Sequence, residues 1–293
     1  MVEILKGSDK IGLRKMTHED IPYGMKLKSQ AGWNQLEADW KMLLDAGGEN
    51  FVASLDGEDA GIAVSLPYQD HFTWIAMVLV DPKARRKGVG KVLMNKSIEL
   101  AQPKVPIRLD ATPEGFELYR TLGFQNEYEL QRLIKISAGL MVKHNNSTIK
   151  AGIPMGDDEL ESVMGLDMPI FGADRSGILR NMYKRNPEYA FCRKENGSIK
   201  AYCMGRSGSH FEHIGPIIAE GTPYASDVLA AVIESLGSKD AVIDVFTEKP
   251  DWIALLEESG FIKQRSFTRM CLGNLDHPGI IEKQFAIGGP EIG

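Results

Sequence analysis

Six consecutive residues, Arg85-Arg86-Lys87-Gly88-Val89-Gly90, place three cations beside two glycines, a combination suited to holding an anion. The run follows the nearly continuous apolar stretch Trp74–Val80 and precedes 90–102, where Val89, Val92, Leu93 and Leu100 share one side of a helix. A buried strand that enters a basic loop and then a helix leaves backbone N–H groups unpaired at the helix start, and the helix dipole favours negative charge there. Gly88 and Gly90 lack a Cβ, so backbone can approach a phosphate closely. Arg85, Arg86, Lys87 and Lys91 would neutralise its oxygens. A lone Gly-x-Gly is more often a surface turn; the strand–loop–helix setting is what singles this one out.

Two other phosphate motifs compete. A P-loop would close on Gly-Lys-Ser/Thr, and Gly90-Lys91-Val92 lacks the hydroxyl. A dinucleotide fingerprint gains support from Asp110, 20 residues after Gly90, but its third glycine would fall at Leu93. The loop from Asp81 to Lys87 is also long and basic for that tight turn.

The elements that must position this loop form two similar series. In the first half, 11–15 reads as a strand, and Thr17 with Asp20 as a helix start. A helix is expected over 35–46, and 51–55 with 60–66 flank the turn Asp56-Gly57-Glu58-Asp59 as a hairpin. Strand 74–80 should be central in its sheet, followed by helix 90–102, strand 105–109, helix 115–122 and a closing strand 128–136. The second half repeats the plan with a hairpin at 189–205, strand 214–219, helix 225–236, strand 241–246 and helix 251–258. One 137-residue offset relates Pro113 to Pro250 and Gly123-Phe124 to Gly260-Phe261. A shared offset across strand, helix, strand and helix points to two related domains, 1–142 and 143–293, with Lys143–Thr148 as a linker.

Composition sets outer bounds. The 293 residues are 43% hydrophobic and 25% charged, with net charge −6, which argues against a duplex nucleic-acid binder. No apolar run is long enough for a membrane helix, and Met1–Lys10 does not read as a secretion signal, so a cytoplasmic location is expected. Cys192, Cys203 and Cys271 are too widely spaced for a disulfide framework or zinc knuckle; Cys192 and Cys203 could face one another on adjacent strands but read rather as buried thiols, and the six histidines show no metal-ligand spacing. No metal is expected.

The loop Arg85–Gly90 resembles the acetyl-CoA motif, Arg/Gln-x-x-Gly-x-Gly/Ala, of the GNAT superfamily of N-acetyltransferases. Met77-Val78-Leu79-Val80-Asp81-Pro82 precedes it as in that family, and Leu118–Phe124 resembles the family's Tyr-x-x-x-Gly-Phe element. The resemblance covers 13–133; Gly32-Trp33-Asn34-Gln35 and Leu109–Pro113 further resemble a bacterial branch with a GNAT-like C-terminal extension. The resemblance implies an α/β fold of tandem GNAT-like domains, each a mixed, mostly antiparallel sheet flanked by helices. It implies acetyl-CoA as co-substrate, its pantetheine arm along Met77, Val78, Leu79 and Val80 and its diphosphate on Arg85–Lys91. The acceptor is then a primary amine, of a small molecule or of a protein.

On this reading Tyr119 protonates the departing thiolate, with an amphipathic core tyrosine as the plainer alternative. The base is open, because Thr73–Val80 contains no carboxylate. Asp110 is the first candidate, equally readable as a capping or ion-paired residue; Asp70 and His71 are weaker. Thr112 stands where relatives often carry Asn, which puts its cofactor contact in doubt.

The second half departs from the family at its loop. Ala219-Glu220-Gly221-Thr222-Pro223-Tyr224 offers an acid and no cation, and Leu256 matches Tyr119. This half is expected to be a degenerate shell that closes the acceptor cleft. Phe171–Arg175 is a candidate acceptor segment, although Asp174 also reads as a helix cap. Trp33 and Trp40 read as core, and the turn-rich end 286–293 as mobile. A non-catalytic acyl-CoA sensor or scaffold fits the same residues, as does a protein-modifying acetyltransferase. Either a monomer or a dimer is compatible with the sequence.

Overall fold

The computed structural model describes residues 2–6, 9–101, 105–137 and 152–293; the expected linker Lys143–Thr148 lies outside them. The N-terminal half runs β1 (Val2–Lys6), β2 (Asp9–Lys15), α1 (Ile21–Gln30), α2 (Glu37–Asp45), β3 (Phe51–Leu55), β4 (Glu58–Tyr68) and β5 (Phe72–Val80). It continues with α3 (Val89–Ala101), β6 (Ile107–Ala111), α4 (Pro113–Thr121) and β7 (Gln125–Lys135). The C-terminal half runs β8 (Ile153–Pro154), α5 (Asp157–Phe171), α6 (Ser176–Arg185), β9 (Phe191–Glu195), β10 (Ser198–Arg206) and β11 (Glu212–Ala219). Then follow α7 (Thr222–Leu236), β12 (Ala241–Phe246), α8 (Pro250–Glu258), β13 (Ile262–Leu272) and β14 (Gln284–Ala286).

Local chemistry accounts for most of these boundaries. Thr17 N–H donates to Asp20 Oδ2 at 2.8 Å, starting the turn that leads into α1. The turns Asp56-Gly57 and Asn196-Gly197 have positive φ at both residues, as two-residue hairpins between twisted strands require. These hairpins join β3 to β4 and β9 to β10, so the two halves share the expected hairpin.

The strand order departs from two separate sheets. One continuous sheet runs β1-β2-β3-β4-β5-β6-β13-β7-β12-β11-β10-β9-β8. Each half has given the strand after its last helix to the other: β13 pairs with β6, and β7 pairs with β12. At the centre β13 and β7 run antiparallel to one another. The expected closing strand is present, but it closes the other half.

Two buried ion pairs clamp this exchange. Arg269 on β13 stands opposite Asp110 on β6 and binds both its oxygens, at 2.8 and 3.0 Å. Arg132 on β7 stands opposite Asp244 on β12 and binds both its oxygens at 2.7 Å. Arg132 and Arg269 are themselves related by the 137-residue offset. All four side chains are almost wholly buried.

Helices cover both faces. On one face a single apolar cluster includes Leu27 and Trp40 of the first half and Ile170 and Leu179 of the second. On the other, α3 and α4 pack over the first half and α7 and α8 over the second. Cys192 and Cys203 are buried, free thiols on opposite faces, because Tyr202 and not Cys203 faces Cys192 across the ladder. No described helix is long and apolar enough to cross a membrane.

The chain end is docked rather than mobile, which corrects the sequence expectation. Ile287, Glu291 and Ile292 are at most 2% exposed. Tyr68 Oη donates to Ile292 O (2.7 Å), Trp74 Nε1 to Pro290 O (3.0 Å) and Arg175 Nη1 to Gly293 O (2.7 Å). The glycines and proline that suggest mobility serve a tight fit: a Cβ on Gly289 would come within 2.6 Å of the Arg206 guanidinium.

Candidate functional site

Strand β5 creates the site by failing to stay regular. Between the registered pairs Val64–Ala76 and Ile62–Leu79, β5 holds one residue more than β4, and Met77 takes up the bulge with φ of 53°. A left-handed, non-glycine residue in a strand costs on the order of 1–3 kcal/mol and is kept only where the surroundings enforce it. Pairing with β6 covers only Thr73 and Trp74. Beyond Trp74 the two strands part, and Ile75 to Val80 line the resulting cavity.

The loop after β5 is shaped by its own side chains. Asp81 accepts from Lys83 N–H at 3.0 Å and from Lys26 Nζ at 3.2 Å, which lowers its pKa chiefly through the backbone bond. Arg86 and Gly88 have positive φ, and α3 begins at Val89. Arg85, Arg86, Lys87 and Lys91 are exposed, and among the described residues none of them makes an ion pair. The expected strand, basic turn and helix are all present, the strand starting two residues and the helix one residue earlier than the sequence suggests.

One cavity of about 760 Å³ collects Met77, Val78, Leu79, Val80, Arg85, Arg86, Gly88, Val89, Gly90, Lys91, Asp110, Thr112 and Tyr119. Lys87, in the same loop, is exposed beside it. Thr112 precedes α4 and helps to hold Glu114 ionised, after the bond from that residue's own amide. Tyr119 folds back along α4 because residue 115 is glycine; a Cβ there would come within 2.8 Å of the ring. Burial pushes the Tyr119 phenol up to about 12, so it keeps its proton at neutral pH.

Asp110 reaches the cavity wall, but Arg269 occupies both of its oxygens. Burial raises its pKa against the pull of that guanidinium. Asp70 and His71 are not brought to the cavity: Asp70 is exposed, and His71 Nδ1 lies 2.8 Å from Gly172 O with its ring stacked on His277. Asp174 accepts from Ser176 N–H at 2.8 Å, the capping alternative. Trp40 is core as expected; Trp33 packs half-buried against the same cluster and also lines the cavity, which the sequence reading did not anticipate. The segment around it is anchored across the halves, since Asn34 bonds to His210 and Phe211 at 2.9–3.0 Å.

The far wall comes from residues the sequence did not single out: Arg132, Arg265, Phe267, Pro290 and Glu291. Only the strand exchange and the docked end bring them here, and no local pattern signals either. Among the described residues no group of His, Cys, Asp and Glu could hold a metal ion.

The second half has the same parting of strands with a different outcome. β11 and β12 pair from Glu212 to Ile214, and β14 then pairs with β11 at Ile217 and Ile218. The loop beyond carries Glu220, which pairs with Lys283 at 2.9 Å, and Leu256 is fully buried.

Comparisons with known proteins agree with this geometry. The profile described as the acetyltransferase (GNAT) family matches residues 14–124, and that of the acetyltransferase (GNAT) domain matches 163–286. An uncharacterized N-acetyltransferase of Bacillus subtilis (strain 168), YitH, is 27% identical over 255 residues, 86% of this chain and 88% of that protein. A Pyrococcus horikoshii protein described as an acetyltransferase shares the fold with a TM-score of 0.78 at 21% identity, over 97% of this chain and 96% of its own. A tandem GNAT protein from the clavulanic acid biosynthesis pathway gives 0.61 at 13% identity, over 91% and 100%. The chain is a tandem-domain member of the GNAT acetyltransferase superfamily.

Proposed function

We propose that this protein is an acetyl-CoA-dependent N-acetyltransferase whose chemistry sits in its first domain, 1–142, while the second, 143–293, closes the acceptor end. The observation that carries the reading is the unpaired basic loop and the parted β5 edge opening into one cavity with Tyr119. Acetyl-CoA would supply an activated acetyl thioester and a diphosphate handle. The residues fit that group: exposed cations without partners await an anion, and the β5 edge beyond Trp74 awaits hydrogen-bonding amides.

Arg85, Arg86, Lys87 and Lys91, with the amides from Gly88 to Gly90, hold the diphosphate. The edge from Met77 to Val80 holds the pantetheine arm, and Thr112 and Leu118 form its opposite wall. The bulge at Met77 turns backbone N–H groups off the ladder, where they can steady negative charge on the thioester oxygen. Tyr119 donates to the departing sulfur. A phenol near 12 is a weak acid toward an ordinary thiolate of about 8.5, so transfer depends on the sulfur being as dry as the phenol.

The cavity supports a small-molecule acceptor more than a protein lysine, because half-buried Pro290, buried Glu291 and the 33–35 segment wall its far end. All walls come from one chain, so the reading requires no second copy. Calorimetry with acetyl-CoA and thiol release across an amine panel test it. Tight acetyl-CoA binding with no thiol released from any amine would leave a sensor instead; binding of a nicotinamide dinucleotide in its place would overturn the assignment.

A further inference from the structure

The far wall of the cavity holds two opposite charges that the protein leaves partly unanswered. Glu291 is 2% exposed. Its Oε1 pairs with Arg206, while its Oε2 has no hydrogen-bond partner. Arg206 cannot serve both oxygens, because it also binds Asp39 Oδ1 at 3.2 Å and Gly288 O at 3.3 Å. On the same wall, half-buried Arg265 makes no ion pair among the described residues, and its Nε is buried without a partner. Its guanidinium lies over the Phe267 ring, 4.9 Å from the centroid, which fixes it without neutralising it. Burial lowers its pKa only to about 10, so it is a cation at neutral pH. Nearby Arg132, by contrast, donates from Nε and Nη2 to the two oxygens of Asp244.

Buried polar groups are normally satisfied, and a charged one left short marks a place where a ligand completes the set. A carboxylate oxygen and a guanidinium on one cavity wall ask for a ligand carrying an ammonium and an anion together. Resting on the acetyltransferase reading above, we propose that the acceptor is a zwitterionic amine, its ammonium received by Glu291 and its carboxylate or other anionic group by Arg265. Glu291 then has a catalytic part. The acceptor's ammonium gives one N–H proton to Oε2 of Glu291, which holds it until the acetylated product leaves and water enters the cavity. The freed lone pair forms the C–N bond as the C–S bond breaks. Tyr119 protonates the sulfur, and its phenolate takes the second nitrogen proton.

The full chain, loaded with acetyl-CoA, is assayed for thiol release with β-alanine and γ-aminobutyrate against propylamine and butylamine. The expected result is at least a tenfold higher kcat/KM for the amino acids, with the difference erased by Arg265→Met mainly through KM. Glu291→Gln, which keeps an acceptor for Arg206, should lower kcat at least thirtyfold for these ammonium acceptors. Methoxyamine is neutral at neutral pH and needs no base, so its loss in the same variant should be several-fold smaller. Equal rates for amino acids and plain amines overturn the inference. So does Arg265→Met if it weakens acetyl-CoA binding as much as Arg86→Glu, because the guanidinium then serves the cofactor. Should no amine release thiol although acetyl-CoA binds, the transferase reading itself fails. Calorimetric binding of β-alanine to the loaded protein, lost in Arg265→Met, then decides the charge pairing alone, and absence of that binding overturns it.

Discussion

The slot between β5 and β6 and the slot between β11 and β12 are the same construction with different contents. In both, a parallel pair holds for two or three residues and then parts. A parted strand exposes a row of backbone donors and acceptors that must find partners. In the second half the chain supplies them itself, by laying β14 along β11. In the first half the edge from Ile75 to Val80 faces a cavity, beside a loop of unpaired cations. On the proposed reading, the second half holds no cofactor less because it lacks side chains than because its own strand fills the matching slot. That strand continues into 287–293 and carries Glu291 to the other half's cavity, so what closes one site helps to build the other.

The clamps test whether the halves are equivalent where they should be. Asp110 and Asp244 each hold the arginine of an exchanged strand, and removing one partner of such a buried pair costs about 3–5 kcal/mol. Asp110→Asn and Asp244→Asn should therefore each lower stability by about that amount in urea unfolding. Against the upward push of burial, Arg132 and His213 hold Asp244 well below the usual carboxylate range. Its contribution is present at neutral pH and fades only as pH falls through that depressed value. If Asp110→Asn instead abolished turnover with stability intact, Asp110 would be a catalytic group and the parallel between the clamps would break.

The loops should differ sharply. Arg86→Glu replaces an unpaired cation by an anion at the proposed diphosphate site. With charged hydrogen bonds worth about 1.5–3 kcal/mol, acetyl-CoA affinity should fall on the order of 100-fold, read by calorimetry. A loss below threefold would move the cofactor elsewhere. Tyr119→Phe should leave that affinity unchanged and lower kcat on the order of 100-fold, the usual scale for a positioned acid. An equal fall in affinity would assign Tyr119 to packing.

Legibility in the sequence followed the range of the interaction. The basic loop, Met77–Val80, Thr112 and Tyr119 were readable because a strand, a turn and helix spacing place them within some fifty residues. The exchange was not, because β7 and β13 are similar strands and periodicity says which face is buried, not which neighbour is paired. Asp110 stayed open between a base and an ion-paired residue for the same reason: only the fold brings Arg269, 159 residues away, onto both its oxygens. Glu291 was hidden by its setting. Gly288-Gly289-Pro290 has the composition of a loose end, yet the lack of a Cβ at 289 is what lets Arg206 approach.

The smallest expected effect is the most discriminating. Glu220→Arg would place a cation in the second half's loop, at the start of α7, and would break the pair with Lys283. If side chains alone separated the two halves, this change should begin to restore a second cofactor site. The filled slot argues otherwise: the pantetheine arm would have to displace β14, and with it Phe285 and Ala286, both at most 3% exposed. The surface pair with Lys283 is worth under about 1 kcal/mol, so stability should hardly change. Acetyl-CoA should still titrate one site per chain, with unaltered affinity. A stoichiometry moving toward two would mean that β14 yields easily and that charge, not the strand, keeps the second half silent.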